Sequence, residues 1–76
     1  MSRNAKHFAD RLNHCLDETG APANVRERTV ILSKMLDIPK HQAWTMLEGN
    51  LLPNEELLTT IATEFEVDPL WLSGNK

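Results

Sequence analysis

Residues 29–48 of this chain, TVILSKMLDIPKHQAWTMLE, predict two short helices joined by a tight turn. In the first helix, Leu32 and Leu36 are four positions apart and therefore share a face. The second helix has an apolar stripe at the same kind of spacing, made of Ala43, Met46 and Leu47. We expect these residues to be buried, which would leave the opposite side of the second helix in solvent.

Helical periodicity and helix-ending residues predict three further helices around this pair. The pair is then the second and third of five helices in the chain. The first runs from about Asn4 to Glu18 and is stopped by Gly20, and the second begins after Asn24, a good helix cap. The remaining boundaries follow from the same signals: a third helix from Pro39 or Lys40 to Glu48, a fourth after Asn54, and a fifth opened by Asp68-Pro69 and closed by Gly74. The sequence therefore predicts an all-α fold, a compact five-helix bundle, with residues 1–76 forming one domain.

The charge of the chain is unevenly distributed. The formal net charge is −3, but residues 24–50 carry four Lys and Arg against three acidic residues, a net +1. The rest carries four basic residues against eight acidic ones, a net −4. A near-neutral motif in an acidic chain predicts few phosphate contacts for any nucleic-acid-binding role.

Cysteine content and hydropathy indicate a cytoplasmic protein. Cys15 is the single cysteine, which excludes an internal disulfide, and we expect it to be a small buried side chain. No run of 18 apolar residues is present, so no membrane span is expected, and the N-terminus lacks the apolar core of a secretory signal.

Two stretches resemble the helix-turn-helix domains of the Cro and lambda-repressor type. They are LSKMLDIPKHQAW at residues 32–44 and LLTTIATEFEVDPLWLSG at residues 57–74, and the resemblance extends from about Phe8 to Gly74. Asp37 stands where that family often has glycine, which predicts a left-handed backbone, and Pro39 replaces a common Ser or Thr cap. The resemblance implies a lambda-repressor-like fold with its motif at about residues 29–48.

In that family the second helix of the motif enters the major groove of DNA. The resemblance therefore implies a sequence-specific DNA-binding transcriptional regulator, repressor-like, from a bacterium or a phage. Its expected partner is double-stranded DNA, and a homodimer is expected on a two-fold site. The fourth and fifth helices or the Leu51-Leu52 loop are the candidate dimer contacts.

The outward face of the third helix supplies the predicted base contacts. Stepping about 100° per residue from an inward Ala43 places His41 and Thr45 outward, with Gln42 and Trp44 on either flank. Gln42 suits adenine, Thr45 and Trp44 suit a thymine methyl, and Lys40 or His41 suits guanine or phosphate. For Trp44, packing along the rim of the core is an equal alternative.

Arg26 and Arg28 begin the second helix, where this family usually meets the DNA backbone. Both are predicted phosphate contacts, with a solvated helix face as the alternative. Trp71 is predicted to be a core residue.

Catalytic and metal chemistry are not indicated. His7 and His14 are about 10 Å apart by helical rise, too far to share one ion with Cys15. No nucleophile motif or phosphate-binding loop occurs, so we expect no enzyme, no cofactor and no small-molecule substrate. The alternative to DNA binding is a protein-interaction module, or an antitoxin, that uses the same fold with weak or no DNA binding.

Overall fold

Five α-helices make up most of the computed structural model, which describes residues 3–74. Their bounds are α1 Arg3–Glu18, α2 Val25–Leu36, α3 Lys40–Leu47, α4 Glu55–Phe65 and α5 Pro69–Leu72. No strand occurs among the described residues. The prediction of a compact all-α five-helix bundle is confirmed.

Three helices, α2, α4 and α5, begin directly after the capping residues that the sequence indicates. The Asn24 side chain accepts hydrogen bonds from the backbone N–H groups of Arg26 and Glu27, at 2.7 and 3.2 Å. Asn54 and Asp68 cap α4 and α5 in the same way. Each cap satisfies N–H groups that have no partner within the helix, so local sequence alone sets where these helices start.

The core lies between the five helices, all of which contribute buried side chains. Its largest fully buried side chains are Phe8, Leu12, Leu16, Leu32, Met46, Ile61 and Leu72. Two expectations need correction. Leu36 is only partly buried because it is the last residue of α2, and Trp71 packs against the core from its rim instead of lying inside it.

The turn between α2 and α3 is closed by hydrogen bonds to one residue. Asp37 has φ 56° and ψ 51°, which confirms the predicted left-handed backbone. The backbone N–H groups of Asp37 and Ile38 both donate to the Ser33 carbonyl, and the Ser33 hydroxyl donates back to the Ile38 carbonyl at 2.6 Å. These bonds fix the direction in which α3 leaves the turn.

Cys15 is buried in the core, as predicted, at 5% exposure. Burial raises the pKa of its thiol, and the nearby Glu18 carboxylate raises it further. Since the thiolate is the nucleophilic form, Cys15 is an unreactive apolar side chain at neutral pH.

None of the helices within residues 3–74 has both the length and the apolar character that crossing a membrane requires.

Candidate nucleic-acid interface

The two sides of α3 differ in burial as its sequence predicts. Ala43 and Met46 are fully buried and Leu47 is 5% exposed, so one side of the helix belongs to the core. Lys40 and His41 are exposed on the other side, and Gln42 and Thr45 are partly exposed. The predicted register is confirmed, and α3 presents a short row of polar side chains to solvent.

The N-terminus of α3 carries no side-chain cap. Pro39 occupies the cap position with φ −62° and makes no side-chain hydrogen bond to the helix, and no acidic residue lies in the first turn. The first N–H groups of a helix have no partner within it, and they lie at the positive end of the helix dipole. This end of α3 is therefore suited to an anion such as a phosphate group.

Arg28 is buried, and its prediction as a phosphate contact is corrected. Only 5% of the residue is exposed. Its Nε donates to the Pro22 carbonyl at 2.6 Å, and its Nη1 donates to the Asn13 side-chain oxygen at 2.9 Å. Its Nη2 forms an ion pair with Asp17. The guanidinium thus joins α1, the loop after it and α2, and it is not available to a ligand.

Arg26 lies two positions earlier and is exposed. It lines a groove of about 430 Å³ that we call the α2–α3 groove, bordered by Val25, Arg26, Thr29, Val30, Lys40 and Trp44. Two of these side chains are cationic and none is acidic. The groove therefore combines positive charge with an apolar surface beside the uncapped end of α3.

Trp44 is exposed and is not among the side chains that pack against the core. It is 43% exposed, and its ring stacks on His41 with ring centroids 6.4 Å apart and planes 28° apart. The Thr45 hydroxyl donates to the His41 carbonyl at 2.8 Å, so the threonine's own hydrogen is used inside the helix. The Thr45 methyl group and the acceptor side of its hydroxyl oxygen are left for contacts outside the helix.

The structure brings most of the predicted site residues together. Arg26, Lys40 and Trp44 share the α2–α3 groove, and Lys40, His41, Gln42 and Thr45 follow one another along α3.

Sequence reasoning did not identify Val25 and Val30 as part of this surface. Val25 lies seven residues before Leu32, on the same helix face, yet it is 40% exposed because the core does not extend to the start of α2. The signal that could have identified Val25 is its position as an apolar residue at the start of a helix.

Within residues 3–74, no three His, Cys, Asp or Glu side chains are grouped in a way that could hold a metal ion.

No family model, no curated protein and no solved structure matches this chain.

Proposed function

We propose that this protein is a sequence-specific, repressor-like DNA-binding regulator that places α3 in the major groove of duplex DNA. The observation that carries the proposal is the exposed polar row on α3, which starts at an uncapped helix end beside two cations. A helix presented in this way matches how the second helix of such motifs reads base edges. This role places the protein in the cytoplasm of a bacterial cell, with the DNA.

Base reading is assigned to the first two turns of α3. The Gln42 amide offers a donor and an acceptor, which match the N7 and N6 atoms of adenine. The Thr45 methyl and the Trp44 ring offer apolar contacts for the thymine methyl, and His41 donates to guanine.

Backbone binding is assigned to Arg26, Lys40 and the N–H groups at the start of α3. Since Arg28 is buried, few cations remain on this side of the molecule, and the whole chain has a formal net charge of −3. We therefore expect a shallow dependence of binding on salt, since each neutralised phosphate adds about 0.9 to the slope of log K against log salt.

A salt titration tests the backbone contacts. An operator is first selected from a randomised duplex library with the parent protein, and binding is then measured by fluorescence anisotropy at several salt concentrations. Arg26→Ala and Lys40→Ala should each flatten the salt slope by about one unit and weaken operator and scrambled duplex alike. Lys34→Ala is the matched control, because Lys34 is an exposed α2 cation outside the α2–α3 groove. Failure of the parent to bind any duplex at low salt would contradict the proposal.

A dimer is part of the proposal, since one domain on one half-site binds weakly. Leu52 and Leu70 are 38% and 56% exposed and border one groove of about 290 Å³ with Pro53, Leu58 and Pro69. This surface belongs to the loop before α4 and to α5, the elements that the sequence offers for self-association.

Sedimentation equilibrium with and without operator tests this surface. Leu70→Glu should remain monomeric and lose cooperative binding to a two-fold site, while unfolding as the parent does, because the side chain is more than half exposed. Met35→Glu is the control, an exposed apolar residue of α2 at 38% exposure. Equal self-association of parent and Leu70→Glu would place the dimer contact elsewhere.

The second candidate function is a protein-interaction module or antitoxin. It is favoured by one observation, the apolar lining of the α2–α3 groove around a half-exposed Trp44. Aromatic side chains in such positions often dominate protein interfaces, and Arg26 and Lys40 would select an acidic partner. Absence of duplex binding at low salt, together with binding to an acidic peptide that Trp44→Ala abolishes, would favour this role.

A further inference from the structure

The second turn of α3 offers a different chemistry from the first turn. In the first turn, the side chains of Lys40 and His41 are exposed and can donate hydrogen bonds. Trp44, Thr45 and Glu48, the residue that caps the C-terminal end of α3, follow them. Trp44 and Glu48 are exposed, and Thr45 is partly exposed. This part of the helix therefore presents an aromatic ring, a threonine and a carboxylate to a ligand.

These three side chains form one continuous surface, which we call the second-turn patch. At about 100° per residue, Glu48 lies at an angle between Trp44 and Thr45, one turn further along the helix. His41 lies at an angle between the same two residues, one turn earlier, and its ring stacks on Trp44 with planes 28° apart. The groups of the patch are neighbours, so the edge of one base can meet an apolar group and an acceptor together.

The Thr45 hydroxyl can only accept a hydrogen bond from DNA. Its single hydrogen is donated to the His41 carbonyl at 2.8 Å, because a carbonyl oxygen accepts and cannot donate. The lone pairs of the hydroxyl oxygen and the methyl group are left for a ligand. Glu48 adds a carboxylate, which accepts when ionised. The oxygens of Thr45 and Glu48 therefore select a base that donates, beside the methyl group of Thr45 and the largely carbon surface of Trp44.

A donor beside a methyl group is found on one kind of pyrimidine. In the major groove, cytosine presents its N4 amino group as a donor, whereas thymine presents the O4 acceptor and the C5 methyl group. Cytosine would therefore satisfy the acceptor oxygens without covering the apolar surface, and thymine would do the reverse. Adenine donates through N6 but has no methyl group. 5-Methylcytosine carries the amino group and the methyl group on adjacent ring carbons, so it matches both parts of the patch.

We propose that α3 recognises 5-methylcytosine at one position of its operator, so that methylation of that cytosine strengthens binding. This inference rests on the proposed DNA-binding function. The C5 methyl group would lie against the Trp44 ring and the Thr45 methyl group, and N4 would donate to the Thr45 oxygen or to Glu48. Unmodified cytosine would occupy the same position with lower affinity. Methylation of the DNA would then regulate this site.

Duplexes that differ in a single methyl group test the proposal. An operator is selected with the parent protein from a randomised library made with 5-methylcytosine in place of cytosine. Each 5-methylcytosine is then replaced in turn by cytosine, and binding is measured by fluorescence anisotropy. At one position of the half-site, loss of the methyl group should weaken binding about fourfold, the effect of burying one such group. The other positions should change much less.

Two replacements of Thr45 separate its methyl group from its acceptor oxygen. Thr45→Ser keeps the hydroxyl and loses the methyl group, so it should reduce the preference for 5-methylcytosine over cytosine to about twofold. Thr45→Val keeps a methyl group and loses the oxygen, so it should retain the preference while binding both duplexes more weakly. Thr60→Ser and Thr60→Val are the matched controls, because the Thr60 hydroxyl makes the same bond within α4, at 3.0 Å. Thermal melts compare the stability of the paired variants.

The possible failures of this proposal and of DNA binding itself are distinct. Equal binding of the methylated and unmodified duplexes at every position would overturn methylcytosine recognition and leave the DNA-binding function in place. A methyl preference that persists unchanged in both Thr45→Ser and Trp44→Ala would also overturn it, since the preference would then come from DNA shape. Absence of binding to any duplex at low salt would overturn both proposals.

Discussion

Replacing Arg28 with alanine is expected to lower the free energy of unfolding by about 3 kcal/mol, although the residue is a charged side chain on a surface helix. The substitution removes the donors that satisfy the Pro22 carbonyl and the Asn13 oxygens, and it ends the ion pair with Asp17. Hydrogen bonds from a charged donor each contribute about 1.5–3 kcal/mol, and the lost side chain also leaves unfilled space.

Such a loss is large for a domain of 76 residues, because the total free energy of unfolding of a native domain is only about 5–15 kcal/mol. Urea denaturation followed by circular dichroism at neutral pH measures it. Arg28→Lys should recover part of the stability, since one ammonium group cannot reach all of the acceptors that the guanidinium serves.

Arg26→Ala is the matched control for this measurement. Arg26 is the same residue type on the same helix, but it is exposed and lines the α2–α3 groove. Its removal should change the free energy of unfolding by less than about 0.5 kcal/mol while weakening DNA binding. If both alanine variants unfold like the parent, the buried role of Arg28 is incorrect.

The difference between these two arginines shows what local sequence can predict. Helix starts, the Asp37 turn and the inward stripe of α3 follow from nearest-neighbour chemistry, and all three are as predicted. Arg28 lies four residues before Leu32 and therefore on the inward face of α2, a signal that its charge obscured. Its acceptors, Asn13 and Asp17, are likewise four apart on α1.

The packing of the end of α1 against the end of α4 and the start of α5 could not be predicted in the same way, because these segments are distant in the chain. It needs residues 14–19 to meet residues 65–71, a separation along the sequence that no periodicity encodes. Trp71 illustrates the consequence. An apolar aromatic residue near the end of a small domain predicts a core position, whereas tertiary packing places it at the rim beside Arg11.

Replacing Gln42 or Thr45 with alanine is expected to weaken binding to the selected operator by about 1–3 kcal/mol each, and binding to a scrambled duplex much less. Both residues are partly exposed on α3, and neither belongs to the core. Thr45→Ala loses the methyl group together with the hydroxyl, whose hydrogen bond stays within α3. Its effect on DNA should therefore be greatest at operator positions that carry thymine.

Thr60→Ala is the matched control for Thr45→Ala. Its hydroxyl makes the same bond to the carbonyl four residues earlier, at 3.0 Å, but on α4. The two threonine variants should lose similar stability, and only Thr45→Ala should lose operator affinity. Fluorescence anisotropy on both duplexes, with thermal melts of each variant, separates the two effects. If Gln42→Ala and Thr45→Ala both bind the operator like the parent while folded, α3 does not read bases. The interaction-module role would then take precedence, and Trp44 in the α2–α3 groove would be the first residue to test against acidic peptides.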